Sequence, residues 1–508
     1  MTNAWLIAPV AIPALTAALL VLAMRQSLAV QRALSLTATM LQLAVAVGLY
    51  AVAGEGAPLA YRLGDWPAPF GIVLVLDRLA ATFLLLTSGL AMAVLVAALG
   101  TWDRRGRHFH ALFQFQLLGL NGAFLTGDLF NLFVFFEVLL IASYGLMLHG
   151  GGAPRLKAGF HYVAINLIGS TVFLFAAGIL YAVTGTLNMA DLALKVPQVA
   201  AGDQGLLAAG ALLLLAVFAI KSAMVPLHWW LPRAYGAASP PAAALFAIMT
   251  KVGAYAIIRV STLIFGADAG ALAEIASPWI LPVGIVTLVL GTVGVLANRS
   301  LVDVVCYALI ASMGTLLIAI GLASAAGLAA ALYYAVQSTL ACAALFLLAG
   351  ALGPDRERHA PPAVGAPPGL LFAGVYFLLA MAIVGMPPLA GFIGKLLILE
   401  AGRAADHTGP VWTAILVTSL LMILGFARLG IQIFWTAPAS AQGAHDPLAV
   451  RIGPVWAIGA LTAAVVALGV LAGPVMADMD ALAEQVLAPG RYIATVLGPD
   501  AGSGPAGE

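Results

Sequence analysis

Runs of roughly twenty apolar residues, separated by short charged segments, recur along the whole chain and leave few folds open to it. A helix needs about 20 apolar residues to cross a hydrocarbon core about 30 Å thick, whereas a barrel strand needs about half as many. About 14 such runs are expected to span, near 4–24, 31–53, 72–100, 109–126, 129–148, 158–183, 206–234, 240–265, 278–297, 302–322, 325–351, 368–402, 410–436 and 454–473. The run at 72–100 has length to spare and is expected to tilt. Leu125–Thr126–Gly127–Asp128 leaves room only for a tight turn between antiparallel helices. The expected class is an all-α polytopic membrane protein. Composition agrees, since 63% of the 508 residues are hydrophobic, 8% are charged and mean hydropathy is +1.06. A soluble domain carries about a quarter charged residues. A soluble enzyme and a disordered chain are therefore excluded. A net charge of +1 gives no footprint for nucleic acid. Cys306 and Cys342 lie in apolar runs and make no disulfide framework.

Loop charges set the expected orientation. Arg25, Arg32, Arg104, Arg105, Arg107, Arg155, Lys157, Arg233, Arg299, Arg356, Arg358 and Arg451 fall on one side of the alternating spans. The other side holds Arg62, Lys195 and Arg403 with Asp65, Asp191, Asp203 and Asp268. The positive-inside rule makes the first side cytoplasmic, with both termini on the outer face. No basic residue precedes the first run, so it reads as an uncleaved span. Residues 476–487 read as a short interfacial helix, and Gly498 onward as a loose tail.

A few charges sit where hydrocarbon is expected: Glu137, Lys221, Lys251 and Lys395, and less centrally Arg259, Asp303, Glu400 and Arg428. An ion at the membrane centre costs at least about 2.5–3.5 kcal/mol, so such residues usually face a bundle interior and usually have a function. Arg259 and Arg428 lie near span ends, where snorkelling is an equal explanation, and Arg299 and Asp303 flank a span start. Glu137, in Phe-Val-Phe-Phe-Glu-Val-Leu-Leu-Ile, has no such escape. Lys221 precedes Ser-Ala-Met-Val-Pro226, and Lys395 follows Gly385-Met-Pro387-Pro388. Proline lacks an N–H and breaks a helix. Broken helices at membrane depth are tolerated only inside protein or beside water. Two interrupted spans, each with a lysine, suggest the two related halves of a transporter. Leu389 and Leu396 occupy positions where a phosphate loop ending at Gly394-Lys395 would need Gly and Ser or Thr, so no nucleotide site is expected. No cofactor and no metal are expected either. His228 is a candidate proton relay or a helix cap in equal measure.

Several stretches together resemble a known family. They are Asn121-Gly-Ala-Phe-Leu-Thr-Gly-Asp-Leu-Phe-Asn-Leu-Phe-Val-Phe-Phe-Glu137 with Ala142-Ser-Tyr-Gly-Leu146, Thr186-Leu-Asn-Met-Ala-Asp191, Lys221 through Tyr235, Lys251-Val-Gly-Ala-Tyr255 and Gly385 through Lys395. They resemble the proton-pumping membrane subunits shared by respiratory complex I and the Mrp-type (Pha/Mnh) cation/proton antiporters, and the run ending at Glu137 looks most like the D-type subunit of the Mrp antiporters. The resemblance implies two inverted five-helix repeats, 109–265 and 278–436, each with one broken helix. These follow N-terminal helices in 1–108 and precede a C-terminal helix and tail in 437–508. It implies a Glu137–Lys221 pair, a central Lys251 and a terminal Lys395. Many relatives carry His where this chain has Gln337, which cannot titrate, so Ser338 and Tyr307 become candidate relays with water.

The expected function is proton translocation, along Glu137–Lys221–Lys251–Gln337–Lys395, in a multisubunit Na⁺ or K⁺/H⁺ antiporter serving pH homeostasis. The implied partners are the other antiporter subunits, including a larger homologous A-type subunit and a small C-type subunit, with protons, Na⁺ or K⁺ and the lipid bilayer. Such a protein is a secondary transporter component and not an enzyme. The alternatives are a pumping subunit of a complex I-like or hydrogenase complex, driven by a redox module elsewhere, and a scaffold that moves nothing. Four buried charges argue against the scaffold.

Overall fold

The computed structural model describes residues 3–22, 27–353, 369–435 and 452–498. Arg25, Arg356, Arg358, Arg451 and the tail beyond Gly498 lie outside the described residues. Among the described residues, 12 helices are long and apolar enough to cross a membrane. The helices of the first half are α1 (Ala8–Leu22), α2 (Leu28–Glu55), α3 (Arg78–Ala98), α4 (Phe109–Leu125), α5 (Leu129–Leu148), α6 (Ala153–Thr184), α7 (Met189–Lys195), α8 (Gln204–Lys221), α9 (Trp230–Ala237), α10 (Pro240–Phe246) and α11 (Met249–Leu263). Those of the second half are α12 (Ser277–Ala297), α13 (Leu301–Gly321), α14 (Ala325–Leu352), α15 (Leu370–Val384), α16 (Ala390–Ala404), α17 (Thr408–Phe434), α18 (Ile452–Val470), α19 (Ala472–Leu487) and α20 (Gly490–Leu497). The sequence count of about 14 also includes α4, which has 17 residues, and the run that the structure divides into α15 and α16.

The chain is not purely helical. Val73–Leu76 form strand β2, antiparallel to β1 (Leu59–Arg62), with Leu59 opposite Leu76. The expected span at 72–100 is therefore wrong at its start. Asp77 stops the strand and caps α3, its carboxylate accepting from the Ala80 amide. The hairpin lies against the α4–α5 turn, where the Gly127 amide donates to the Val73 carbonyl.

The end of the chain also departs from expectation. Residues 476–487 belong to α19, which buries Met479, Leu482, Ala483 and Val486 against the bundle. Arg78 pairs with Asp478 at 2.8 Å, and Arg62 donates to the Val496 carbonyl of α20. Helix α19 thus packs one face on the bundle and is longer than the expected segment.

The flanking charges have structural partners. The Arg259 guanidinium grips both oxygens of Asp77, at 2.6 and 2.8 Å, with side chains only 5% and 3% exposed. Arg259 is a buried ion-pair residue and does not snorkel. Arg428 donates to the carbonyls of Leu296 and Asn298 and caps α12, as a cation at a helix C-terminus should. Asp303 lies in the first turn of α13, and Arg299 is exposed.

The core is the span formed by α10 and α11. Every residue from 241 to 260 is buried, which removes lipid from any contact with it. Ala247 and Ile248 open the helix locally between α10 and α11, just before Lys251. Helices α12 and α13 pack most extensively against each other, and α14 passes between α13, α16, α18 and α19.

Candidate functional site

The first interruption begins at Lys221, the last residue of α8, and the helix resumes only at Trp230. Carbonyls freed by a break need new donors. The Ile220 carbonyl accepts from the Ala223 amide and from the Trp230 indole N–H, each at 3.1 Å. The Val225 amide donates to Thr287 of α12 at 3.1 Å. The break comes at Ser222, so Pro226 lies within the irregular segment instead of starting it. Helix α11 approaches this segment closely: a β-carbon at Gly253 would lie 2.3 Å from Ser222 Oγ and 3.1 Å from the Lys221 carbonyl carbon. Only glycine permits that contact, and it sets the Lys221 and Lys251 helices backbone to backbone.

The second interruption separates α15 from α16. Gly385 ends α15 with φ +86°, a conformation other residues rarely adopt, and Met386, Pro387, Pro388 and Leu389 lie outside helix. Two carbonyls freed at the end of α15 are taken by side chains. Lys395 Nζ donates to the Val384 carbonyl at 2.8 Å, and Gln337 Nε2 donates to the Ala382 carbonyl at 3.0 Å.

The three lysines are buried, at 8% exposure for Lys221, 0% for Lys251 and 5% for Lys395. Each finds neutral oxygen acceptors. Lys221 donates to Asn166 Oδ1 at 3.0 Å, Lys251 to Ser312 Oγ at 3.2 Å, and Lys395 also to Ser419 Oγ at 2.9 Å. An ammonium and a neutral amine can both donate to such oxygens, so these contacts survive loss of a proton. None of the three has a carboxylate within 4 Å among the described residues.

Glu137 departs from expectation in two ways. It is half-buried, on a face of α5 that also exposes Phe130, Val134 and Ile141, so its own chain does not enclose it. It also makes no ion pair with Lys221. Ser170 of α6 donates to the Glu137 carboxylate instead, and Asn166, one turn away on the same helix, accepts from Lys221. Sequence reading passed over these two polar residues because small polar side chains are common in membrane helices. Their four-residue spacing within an apolar run was the available signal.

Among the described residues the candidate relays make no hydrogen bond to the lysines. Ser338 Oγ and Ser312 Oγ each bond a carbonyl of their own helix, and of the two only Ser312 also meets a lysine. Tyr307 lies with its ring against Gly294. His228 is partly buried within the first irregular segment. Gln337 Oε1 is buried without a partner among the described residues.

A helical bundle with buried, uncompensated lysines at two helix interruptions defines an ion-translocating membrane protein. The sequence profile of the family described as "NADH:quinone oxidoreductase/Mrp antiporter, TM" matches residues 126–423. The D subunit of a probable K⁺/H⁺ antiporter from Rhizobium meliloti (strain 1021) is 41% identical, over 98% of each chain. The D subunit of a Na⁺/H⁺ antiporter from Bacillus subtilis (strain 168) is 36% identical over 97% of this chain and 99% of its own. Among solved structures, one from the Mrp complex of Dietzia sp. DQ12-45-1b superposes with a TM-score of 0.86 at 28% identity, covering 98% of this chain and 100% of that one. The chain belongs to the NADH:quinone oxidoreductase/Mrp antiporter family of membrane subunits.

Proposed function

We propose that this chain is the proton-translocating D-type subunit of a multisubunit Na⁺ or K⁺/H⁺ antiporter. The observation that carries the reading is the set of three buried lysines, each donating only to neutral oxygens, two of them at helix interruptions. Protons pass along Glu137, Lys221, Lys251 and Lys395, bridged by water. Gln337 holds a fixed place beside the second interruption and does not exchange protons itself. Protonating one site changes the field at the next, which couples proton movement to a cation moving elsewhere in the complex.

The related reading of the fold is 14 spans arranged as two inverted repeats, 109–265 and 278–436. Each proposed repeat carries one interrupted helix with a buried lysine, Lys221 on the segment before the first break and Lys395 on the segment after the second. The expected setting is the bacterial inner membrane, with both termini outside and with A-type and C-type subunits among the partners. The half-exposed Glu137 face of α5 is consistent with a neighbour in that complex.

The test is cation-dependent proton exchange in everted vesicles carrying the complete set of subunits, driven by an imposed gradient with no respiratory substrate. Glu137→Gln, which keeps shape and removes charge, is expected to abolish exchange while the protein remains inserted. Parental exchange by well-inserted Glu137→Gln removes Glu137 from the mechanism. A strict requirement for respiratory substrate points instead to a redox-driven pump.

A further inference from the structure

Helix α6 stands between the two charges that begin the row. Asn166 and Ser170 lie one turn apart on one face. Ser170 holds Glu137, and Asn166 Oδ1 holds Lys221 Nζ at 3.0 Å. Asn166 is 1% exposed and Ser170 6%. Opposite charges attract across a protein, more strongly where water is excluded, and a competing partner for each opposes their meeting. Helix α6 supplies both partners.

The orientation of Asn166 is fixed by its other contact. Its Nδ2 donates to the Tyr162 carbonyl at 2.8 Å, so turning the amide over would lose both hydrogen bonds. Tyr162 is itself locked. Its hydroxyl bonds Ser143 of α5 at 3.0 Å, and its ring stacks on Trp230 at 5.4 Å. The same Trp230 caps the Ile220 carbonyl, one residue before Lys221. The acceptor and the backbone that carries the lysine are therefore braced by one unit. A β-carbon at Gly169 would lie 3.9 Å from Lys221 Cε, and any longer side chain there would fill the sweep of the lysine stem.

We infer that Asn166 is a positioning residue: it holds Lys221 away from Glu137 between proton transfers, so that the ion pair forms only when the lysine swings across. The inference rests on the reading that protons pass by Glu137 and Lys221. In the resting arrangement Lys221 is on Asn166 and Glu137 is on Ser170. Pair formation releases both α6 contacts. Without the asparagine acceptor, Glu137 remains the strongest acceptor for the lysine.

Asn166→Asp tests this with almost no change of shape. It replaces a neutral acceptor by one that is anionic until it takes up a proton. Lys221 is then pinned at neutral and alkaline pH and freed on acidification. The other titratable groups around the unit are Glu137 and Tyr144 on α5, Tyr162 on α6, His228 before α9, Tyr235 on α9 and Lys251 on α11. All are present in parent and variant alike, so a changed profile belongs to the new carboxylate. Exchange is measured against pH in everted vesicles holding the whole complex, with insertion checked by immunoblot, beside Glu137→Gln and Lys221→Ala. The expected result is exchange reduced about tenfold or more at pH 8, with the optimum moved about one unit to acid. A profile that coincides with the parent's, or a loss by the same factor at every pH, overturns the inference and makes Asn166 a packing residue. Parental exchange by Glu137→Gln and Lys221→Ala sinks the underlying reading instead.

Discussion

Neutralising Asp77 isolates the strongest buried electrostatic contact among the described residues. Arg259 is 4% exposed, and both carboxylate oxygens of Asp77 are committed to it. Its Nε has no partner among the described residues, and its neighbours include the Tyr255 hydroxyl at 3.1 Å and the Tyr492 ring at 5.1 Å. Removing one partner of such a pair strands the other, at a cost of about 3–5 kcal/mol. Asp77→Asn keeps an oxygen for the Ala80 amide, so the α3 cap survives and the cost is that of the pair alone. Asp77→Ala also loses the cap, worth about 1 kcal/mol more. If the whole chain unfolds as one unit, its unfolding entropy makes about 4 kcal/mol a shift of about 4 °C, and a smaller cooperative unit makes the shift larger. Thermal unfolding of detergent-solubilised protein should rank parent above Asp77→Asn above Asp77→Ala. The double variant Asp77→Asn/Arg259→Met should recover much of the loss, because no charge is left stranded. A melting temperature for Asp77→Asn equal to the parent's would refute the reasoning: water or the tyrosines would then be satisfying the guanidinium.

Three further outcomes follow from single residues. Lys395→Arg keeps the charge but cannot release a proton, so exchange should fail as it does in Lys395→Ala; full activity in Lys395→Arg would mean that only a positive charge is needed there. Burial pushes the Asp128 carboxyl up to about 6, against the amide hydrogen bonds of Asn131 and Phe130 that favour its charge. The stability it contributes is present below its ordinary value and lost as pH rises through about 6, so Asp128→Asn, which retains the cap, should raise the melting temperature most at pH 8, about half as much at pH 5 and little below pH 4; equal shifts at pH 8 and below pH 4 would exclude that carboxyl as the source. Burial holds His149 below its ordinary value, against the favourable hydrogen bond to the Trp102 carbonyl. Stability linked to it is present above about 6.5 and lost on acidification, so His149→Asn should flatten the fall in melting temperature below pH 6.5, and an unchanged slope would assign the fall elsewhere.

The spans and the interrupted helices were readable because each rests on a local rule. Twenty apolar residues require a span, and Pro226, Pro387 and Pro388 cannot extend a helix. Lys221, Lys251 and Lys395 stood out because charge in an apolar run is costly wherever the helix packs. What escaped was pairing between distant segments. Arg259 near a span end looks the same in sequence whether it snorkels or meets a carboxylate 182 residues away. The run at 72–100 reads as one helix because Val73, Leu74, Val75 and Leu76 suit a buried strand and a membrane helix equally well, and only the partner strand decides. Glu137 and Lys221 carried an expected pairing that ignored Asn166 and Ser170, whose roles depend on which face of α6 turns towards α5 and α8.

Helices α12 and α13 meet through glycine. A β-carbon at Gly284, Gly291, Gly314 or Gly321 would lie 2.2–2.8 Å from a backbone nitrogen of the other helix. Side chains absorb displacement by changing rotamer, and at these four positions one backbone rests on the other with little between them to yield. The two helices therefore behave as a single stiff beam. One side of the beam holds the first interruption, through Thr287 and the Val225 amide, and the other side holds Lys251 through Ser312. A rearrangement of the irregular segment after Lys221 would bear on the same pair of helices that carries the hydroxyl beneath Lys251. The first two lysines are thus linked mechanically as well as by their fields, and bulkier residues along that seam would loosen the link without touching a single charge.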